Sequence, residues 1–239
     1  MVKMVRDNTG RFALRPYYLA PELDRECEDI VSAFLTARHG HVRLPVETHE
    51  LAILIEQQDA SLDSSVDLSG FGKDVEGMTA FYPDRCPEVS ISDRIANDSR
   101  RENRLRTTLA HEFGHVRFHR ILWAEKFEAG CLFDSRTTEN KVICKRDSMI
   151  EAKDTDWMEW QAGYVSGAIL MPVGPIRRLV SDFCGKRGLH AAVSLVSDPG
   201  REILNEVMAR FLVSEDAARV RLLKLGLLTA SAAQPSLFG

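Results

Sequence analysis

The 239-residue chain is predicted to be an α+β protein, mainly helical, with one small antiparallel sheet. Apolar residues recur at helical spacing over most of the chain, whereas short alternating segments are confined to its middle. The composition, 44% hydrophobic and 28% charged, is typical of a globular protein and excludes a disordered or collagen-like chain. The net charge of −4 argues against a protein that coats nucleic acid through bulk charge.

The first half of the chain contains two predicted helices and two predicted strands. Pro21–His39 has an apolar stripe at helical spacing, and a second helix follows Pro45. Glycines, prolines and short alternating runs mark residues 61–92. Within them, Met78–Tyr82 and Glu88–Ser92 are predicted to be strands.

The second half is predicted to be mostly helical. A long helix begins near Ser99, because helical spacing continues through the twenty or so residues that follow it. Residues 125–155 are polar and predict at most a hairpin around Lys141–Cys144. Asp156 opens a further helix that Pro172 ends, since proline cannot donate the next helical hydrogen bond.

His111, Glu112 and His115 form an HExxH sequence on the helix predicted from Ser99. Residues four apart share a helix face, so both imidazoles can bind one Zn²⁺. Glu112 lies about 100° around the axis from His111, where its carboxylate can face a metal-bound water. A surface helix with two solvated histidines is the alternative interpretation.

A catalytic zinc needs a third protein ligand and an open position. A histidine six residues after the second is excluded because that position is Ile121. His119 lies about 80° off the face of His111, so we expect it beside the ligands or packed rather than on the metal.

Glu159 is the best candidate for the third ligand. Small residues lie on its side of the predicted helix and would let two helices approach closely. These residues are Ala162, Gly163, Ser166 and Gly167. Ordinary helix packing, or a capping role for Glu159, is the alternative.

Two segments together resemble the ImmA/IrrE metallopeptidases. Arg104–His119 reads RLRTTLAHEFGHVRFH, and the family pattern there is LAHExGHxxxH after an approach rich in Arg or Thr. Glu159–Pro172 reads EWQAGYVSGAILMP, and the family pattern is ExxANxFAxxLLMP. The sequence departs from the pattern at Gly163, where the family prefers Asn, and at residues 165–166, which are Val-Ser in place of Phe-Ala. A looser likeness extends from about residue 44 to 226.

The resemblance implies a zincin-like fold and an intracellular zinc peptidase. The metal would be Zn²⁺ bound by His111, His115 and Glu159, with Glu112 as the catalytic base. The implied substrate is a helix-turn-helix transcriptional repressor, often encoded nearby, whose cleavage in response to stress or DNA damage derepresses a mobile-element, stress or defence operon. We therefore divide the chain into a zincin-like metallopeptidase domain (1–172), a helical, helix-turn-helix-like subdomain (173–228) and a flexible tail (229–239).

Zincins pair an extended substrate with an edge strand, so the strand Glu88–Ser92 is the candidate for positioning the cleaved linker, unless it is only sheet core. A thiolate could also occupy the water position and restrain the peptidase. Cys144 and Cys86 are the candidates for such an inhibitory fourth ligand, and an inert cysteine is the alternative for each.

The cytoplasm is the expected location. The five cysteines are widely spread without a CxxC pair, and the N-terminus has no apolar run long enough for a secretory signal. No stretch is long and apolar enough to predict a membrane span.

The C-terminal segment suggests a rival function. Residues 173–228 contain nine Lys or Arg against six Asp or Glu, so this segment is basic in an acidic chain. It could bind DNA, in particular single-stranded DNA as an activator, or dock the repressor; a solvated helix face is the alternative. The rival to a peptidase is a DNA-binding transcriptional regulator whose metal site is structural or vestigial. Peptide deformylases, which also use HExxH, are disfavoured because their cysteine ligand precedes that motif, whereas Cys131 follows it.

Overall fold

The computed structural model describes residues 2–130, 141–145, 156–189 and 192–230. Within these residues the chain is an α+β protein, as predicted. The strands are β1 (Lys3–Arg6), β2 (Leu14–Tyr17), β3 (Ser61–Val66), β4 (Val75–Ala80), β5 (Glu88–Ser92) and β6 (Lys141–Lys145). The helices are α1 (Ala20–His39), α2 (Thr48–Glu56), α3 (Asp93–Ala96), α4 (Glu102–Gly130), α5 (Trp157–Leu170), α6 (Val173–Arg187), α7 (Asp198–Phe211) and α8 (Glu215–Lys224).

The strands form two sheets. β1 and β2 make an antiparallel hairpin, and the other four strands lie in the order β3-β5-β4-β6. β5 runs parallel to β3, while β4 runs antiparallel to both β5 and β6. The prediction of a purely antiparallel sheet is therefore wrong. The polar sequence of β3 gives little indication of a strand. Its partner β5 is not the next strand along the chain, because β4 lies between them in sequence, so no local hairpin signals this pairing.

The strand predicted at Glu88–Ser92 has those bounds in the structure, but it is not an edge strand. β5 pairs with β3 on one side and with β4 on the other, so its backbone cannot add an extended peptide. The role expected for it in positioning a substrate is therefore wrong, and its alternative as sheet core is confirmed. In the described part of the chain, the sheet ends at β3 and β6.

Helix α4 is the longest helix of the described residues, with 29 residues. It begins at Glu102, after a short turn in which the Asp98 side chain accepts a hydrogen bond from the Arg100 backbone N–H. Aromatic and aliphatic side chains pack around its second half in one buried cluster. The members are Phe81, Leu122, Trp123, Val142, Trp157 and Met158.

The chain forms two compact units, which differ from the predicted division. One comprises Met1–Glu26 with Glu47–Ser166, and the other Cys27–Val46 with Gly167–Gly239. The boundary thus falls within α5, before Pro172, and most of α1 belongs to the C-terminal unit. The chain passes between the units at residues 26–27, 46–47 and 166–167. The first and the last of these places lie inside helices, so the sequence shows no linker there.

The described part of residues 173–228 contains three helices, α6 to α8, and three residues join α7 to α8. Ser214 caps α8 by accepting a hydrogen bond from the Ala217 backbone N–H at 3.3 Å. The flexible tail was predicted to begin at residue 229, but the backbone of Thr229 is fixed by two hydrogen bonds. Its N–H donates to the Val193 carbonyl, and its carbonyl accepts from the Leu195 N–H. Residues 231–239 lie outside the described residues.

None of the described helices is long and apolar enough to cross a bilayer.

Candidate metal centre

The HExxH residues lie in the middle of α4. His111, Glu112 and His115 are all fully buried, which is costly for polar side chains unless they have partners. The predicted geometry is confirmed: the two Nε2 atoms of His111 and His115 face each other at 3.0 Å. The alternative of solvated surface histidines is excluded by this burial.

The carboxylate of Glu159, on α5, lies against both imidazoles. Glu159 Oε2 is 3.3 Å from His111 Nε2, and Glu159 Oε1 is 3.2 Å from His115 Nε2. Within the described part of the chain, these three residues form a cluster of the metal-ligating type. Their ligand atoms all lie within 4.8 Å of one another. Residues 111 and 159 thus come together as predicted.

The donor set fits a small divalent cation. A tetrahedral ion about 2.0–2.1 Å from each donor would separate the donors by about 3.3 Å, close to the observed distances. Among the described residues, neither Glu159 oxygen accepts a well-aligned hydrogen bond despite being buried. Two imidazoles and one carboxylate are also a donor set found in catalytic zinc sites.

The charges of the site favour a cation among the three ligands. Burial alone would raise the pKa of Glu159, but the imidazoles of His111 and His115 beside its carboxylate hold that pKa far below its usual range. Burial lowers the pKa of His115, and the carboxylates of Glu159 and Glu112 outweigh burial and raise it. The site therefore stabilises positive charge at the point where the three side chains meet.

Helices α4 and α5 pack closely next to the cluster, as the small residues of α5 predicted. A Cβ added at Gly114 would lie 3.0 Å from the Ala162 Cα. The hydroxyl of Ser166 donates to the Thr107 carbonyl at 3.1 Å. This close approach brings the short Glu159 side chain within reach of α4.

Glu112 faces strand β4 through one carboxylate oxygen. Thr79 Oγ1 donates to Glu112 Oε2 at 2.5 Å, while Glu112 Oε1 is buried without a hydrogen-bond partner in the described residues. Gly77, two residues earlier on β4, leaves the space that the carboxylate fills. Burial raises the pKa of Glu112, and the imidazoles together with the Thr79 hydroxyl partly offset this.

His119 is buried beside the ligands, as expected, and does not belong to the three-residue cluster. Its Nδ1 lies 3.0 Å from His115 Nδ1, and its Nε2 lies 3.1 Å from Gln161 Oε1. Burial and the neighbouring His115 hold the pKa of His119 well below its usual range, so this ring is neutral.

The two candidate cysteine ligands differ in what the structure describes. Cys86 is a free, half-buried thiol in the loop between β4 and β5, and it is not among the residues that converge on the cluster. The backbone of Cys144 lies on β6 and pairs with Gly77. The side chain of Cys144 and all of Cys131 lie outside the described residues.

Sequence reasoning missed the residues that surround the ligands. Gly77 and Thr79 lie on strand β4, whose sequence contains no catalytic motif. Gln161 lies inside the Glu159–Pro172 segment at a position that the family pattern leaves open. A short polar side chain flanked by apolar residues, as in Met78-Thr79-Ala80, was the one local signal available.

No protein-family model matches the chain, and no curated protein matches it either. The fold and the site together define an α+β protein with a buried cluster of two histidines and one carboxylate, beside a second buried carboxylate.

Proposed function

We propose that this chain is a zinc-dependent endopeptidase of the zincin type, related to the ImmA/IrrE metallopeptidases that its motifs resemble. The observation that carries the proposal is the convergence of His111, His115 and Glu159 from two helices, with Glu112 buried beside them. A structural zinc site normally has four protein ligands, whereas three converge among the residues that the structure describes. Three ligands and an adjacent carboxylate are the arrangement of a hydrolytic site.

Zinc held by these three residues would supply Lewis-acid activation of water and of the scissile carbonyl. Glu112 accepts the proton of the attacking water and returns it to the leaving amine. Its two oxygens are suited to different tasks: Thr79 holds Oε2 in place, while Oε1 has no partner among the described residues and can exchange a proton.

The proposed substrate is a helix-turn-helix transcriptional repressor cleaved in an extended linker. Strand β5 is enclosed within the sheet, so it cannot receive that linker. β6 pairs with β4, the strand that carries Gly77 and Thr79, and is the last strand of the described sheet on that side. We therefore assign the extended segment of the substrate to β6 rather than to β5.

The test is a cleavage assay with the zinc-loaded chain and the helix-turn-helix protein encoded beside its gene, with and without single-stranded DNA. Intact mass spectrometry should show two fragments that disappear on chelation and reappear with zinc. Glu112→Gln should bind zinc and fold normally but yield no fragments. Fragments produced equally by Glu112→Gln would overturn the assignment of Glu112, and a zinc-loaded wild-type chain that cuts no such protein would overturn the substrate.

A DNA-binding regulator is the second candidate, favoured by the short connection between α7 and α8 in a basic segment. One of its basic residues is unsuited to DNA contact: Arg221 is buried and donates through Nε to the Met171 carbonyl at 3.2 Å. Salt-sensitive binding of DNA by the zinc-free chain would support this candidate. Cleavage that depends on Glu112 would favour the peptidase.

A further inference from the structure

A chain of buried hydrogen bonds leads from a backbone carbonyl to one of the candidate metal ligands. Gln161 Nε2 donates to the Pro16 carbonyl at 3.1 Å, and Gln161 Oε1 lies 3.1 Å from His119 Nε2. His119 Nδ1 in turn lies 3.0 Å from His115 Nδ1. The side chains of all three linking residues are buried, with at most 1% exposed.

The position of every hydrogen in this series of hydrogen bonds follows from the Pro16 carbonyl at its start. A carbonyl oxygen only accepts, so Pro16 requires the amide nitrogen of Gln161 and turns the amide oxygen toward His119. An amide oxygen also only accepts, so His119 Nε2 carries a hydrogen. His119 is fully buried, and neither partner of its ring nitrogens is an anion that could balance an imidazolium charge. The ring is therefore neutral, so its Nδ1 is bare and accepts from His115 Nδ1–H.

The hydrogen bond from His115 Nδ1–H to His119 decides which ring nitrogen of His115 can bind a metal. A neutral His115 with its hydrogen on Nδ1 has a free lone pair on Nε2, the atom that faces His111 and Glu159. The opposite tautomer would place a hydrogen on Nε2 and block a metal there. Second-sphere hydrogen bonds of this kind orient ligating histidines and raise their affinity for metal.

We propose that Gln161 and His119 are positioning residues that hold His115 in the metal-binding tautomer. This inference rests on the metal site of the proposed function, and it does not depend on peptidase activity. Neither residue supplies a ligand atom to the cluster. Gln161 acts through His119, and His119 acts through His115.

The other ligand imidazole provides an internal comparison. His111 Nδ1 is buried and has no hydrogen-bond partner among the described residues. The hydrogen-bond chain therefore acts on His115 and not on His111. A loss of general packing around the site would disturb both rings alike, whereas a loss of the chain should change the tautomer of His115 alone.

The experiment combines nitrogen-15 NMR of the histidine rings with zinc affinity measured by chelator competition, on the full-length chain. In the metal-free wild type, His119 should carry its hydrogen on Nε2, and His115 should carry one on Nδ1. Gln161→Met and His119→Leu should each weaken zinc binding by roughly 10–100-fold, the range typical of lost second-sphere partners. Both should leave the ring of His115 as a mixture of tautomers.

His119→Asn is the rescue variant, because its amide oxygen can still accept from His115 Nδ1–H. It should bind zinc within a few-fold of wild type. Gln57→Leu, at an exposed glutamine, is the matched control and should change neither readout. Thermal unfolding of each variant separates lost affinity from lost folding.

The outcomes distinguish the two proposals. A bare Nδ1 on His115, or zinc binding of wild-type strength in both Gln161→Met and His119→Leu, would overturn the positioning role while leaving the metal site intact. A wild-type chain that binds no zinc would overturn the proposed function. In that case the ring spectra of the metal-free protein would still decide whether the hydrogen-bond chain sets the tautomer.

Discussion

Gly77 and Glu112 fit together because residue 77 has no side chain. A Cβ on Gly77 would collide with Glu112 Oε1, and it would lie 2.9 Å from Glu112 Cδ and 2.8 Å from Thr108 Cγ2. Real Cβ atoms essentially never approach other atoms so closely. The buried carboxylate of α4 therefore occupies the space that a larger residue on β4 would fill.

Gly77→Ala should separate catalysis from metal binding. The added methyl group displaces the Glu112 carboxylate, while the three proposed ligands are on other elements. We expect zinc affinity within a few-fold of wild type, and cleavage reduced at least about 100-fold, the lower range for a lost general base. Gly70→Ala, at a glycine with open space around it, is the control. Full activity in Gly77→Ala would show that Glu112 is not confined by β4.

Thr79→Val should reduce cleavage without changing the shape of the side chain. The substitution removes the donor to Glu112 Oε2 and leaves a buried carboxylate oxygen without its partner, at a cost of about 1–3 kcal/mol. At 1.4 kcal/mol per factor of ten, turnover of the repressor should fall by about tenfold or more. Thr79→Ser keeps the hydroxyl and should retain most of the activity. Equal losses in both variants would indicate packing rather than hydrogen bonding.

Gly114→Val should weaken zinc binding by forcing α4 away from α5. Since a Cβ at Gly114 already approaches the Ala162 backbone to 3.0 Å, the branched side chain cannot fit without moving Glu159. We expect a loss of zinc affinity of at least tenfold in chelator competition. Gly185→Val is the matched control, because this helical glycine of α6 has open space around it. If both variants bind zinc like wild type, the close approach of the helices is not needed.

Asp7→Asn should destabilise the protein at neutral pH and much less in acid. Asp7 is buried, and its carboxylate accepts hydrogen bonds from Thr9, from the Phe12 N–H and from Trp157 Nε1. Burial would raise the pKa of Asp7, but these hydrogen bonds outweigh burial and lower it. Charge-assisted hydrogen bonds of this kind contribute about 1–3 kcal/mol.

The direction of the pH effect follows from that lowered pKa. The stabilising contribution is fully present above the unfolded pKa of about 3.9, and it is lost as pH falls through the folded value. Urea unfolding should therefore show a difference between wild type and Asp7→Asn that is largest at neutral pH and shrinks below about pH 4. Asp182→Asn, at an exposed aspartate, should show no such difference. A gap that stays constant with pH would contradict the role given to the charge of Asp7.

Local patterns predicted much of the fold and the core of the site. The helix predicted over Pro21–His39 has the same end as α1 and begins one residue later, and the bounds of Glu88–Ser92 are those of β5. Glu159 could be found because small residues on its helix face indicated a close helix contact. The meeting of His111 and His115 could be predicted from the helical repeat alone, because residues four apart share a helix face.

The parts that could not be predicted depend on contacts between distant residues. Nothing within Glu88–Ser92 shows that β3 pairs with this strand on the side away from β4. The sequence therefore could not show that β5 is an inner strand of the sheet. The bond between Gln161 and Pro16 joins residues 145 positions apart, through a backbone carbonyl that leaves no trace in the sequence. The space for Glu112 likewise depends on Gly77, which by itself reads as a strand glycine.

The most direct test of the account is zinc X-ray absorption spectroscopy with metal quantification on the purified chain and on Glu159→Ala. We expect one zinc per wild-type chain, with two imidazole nitrogens and a carboxylate oxygen at about 2.0–2.2 Å. Glu159→Ala should lose the oxygen ligand and most of the affinity, while Glu125→Ala, at an exposed glutamate of α4, should match wild type. No zinc in the wild type, or an identical spectrum from Glu159→Ala, would contradict it.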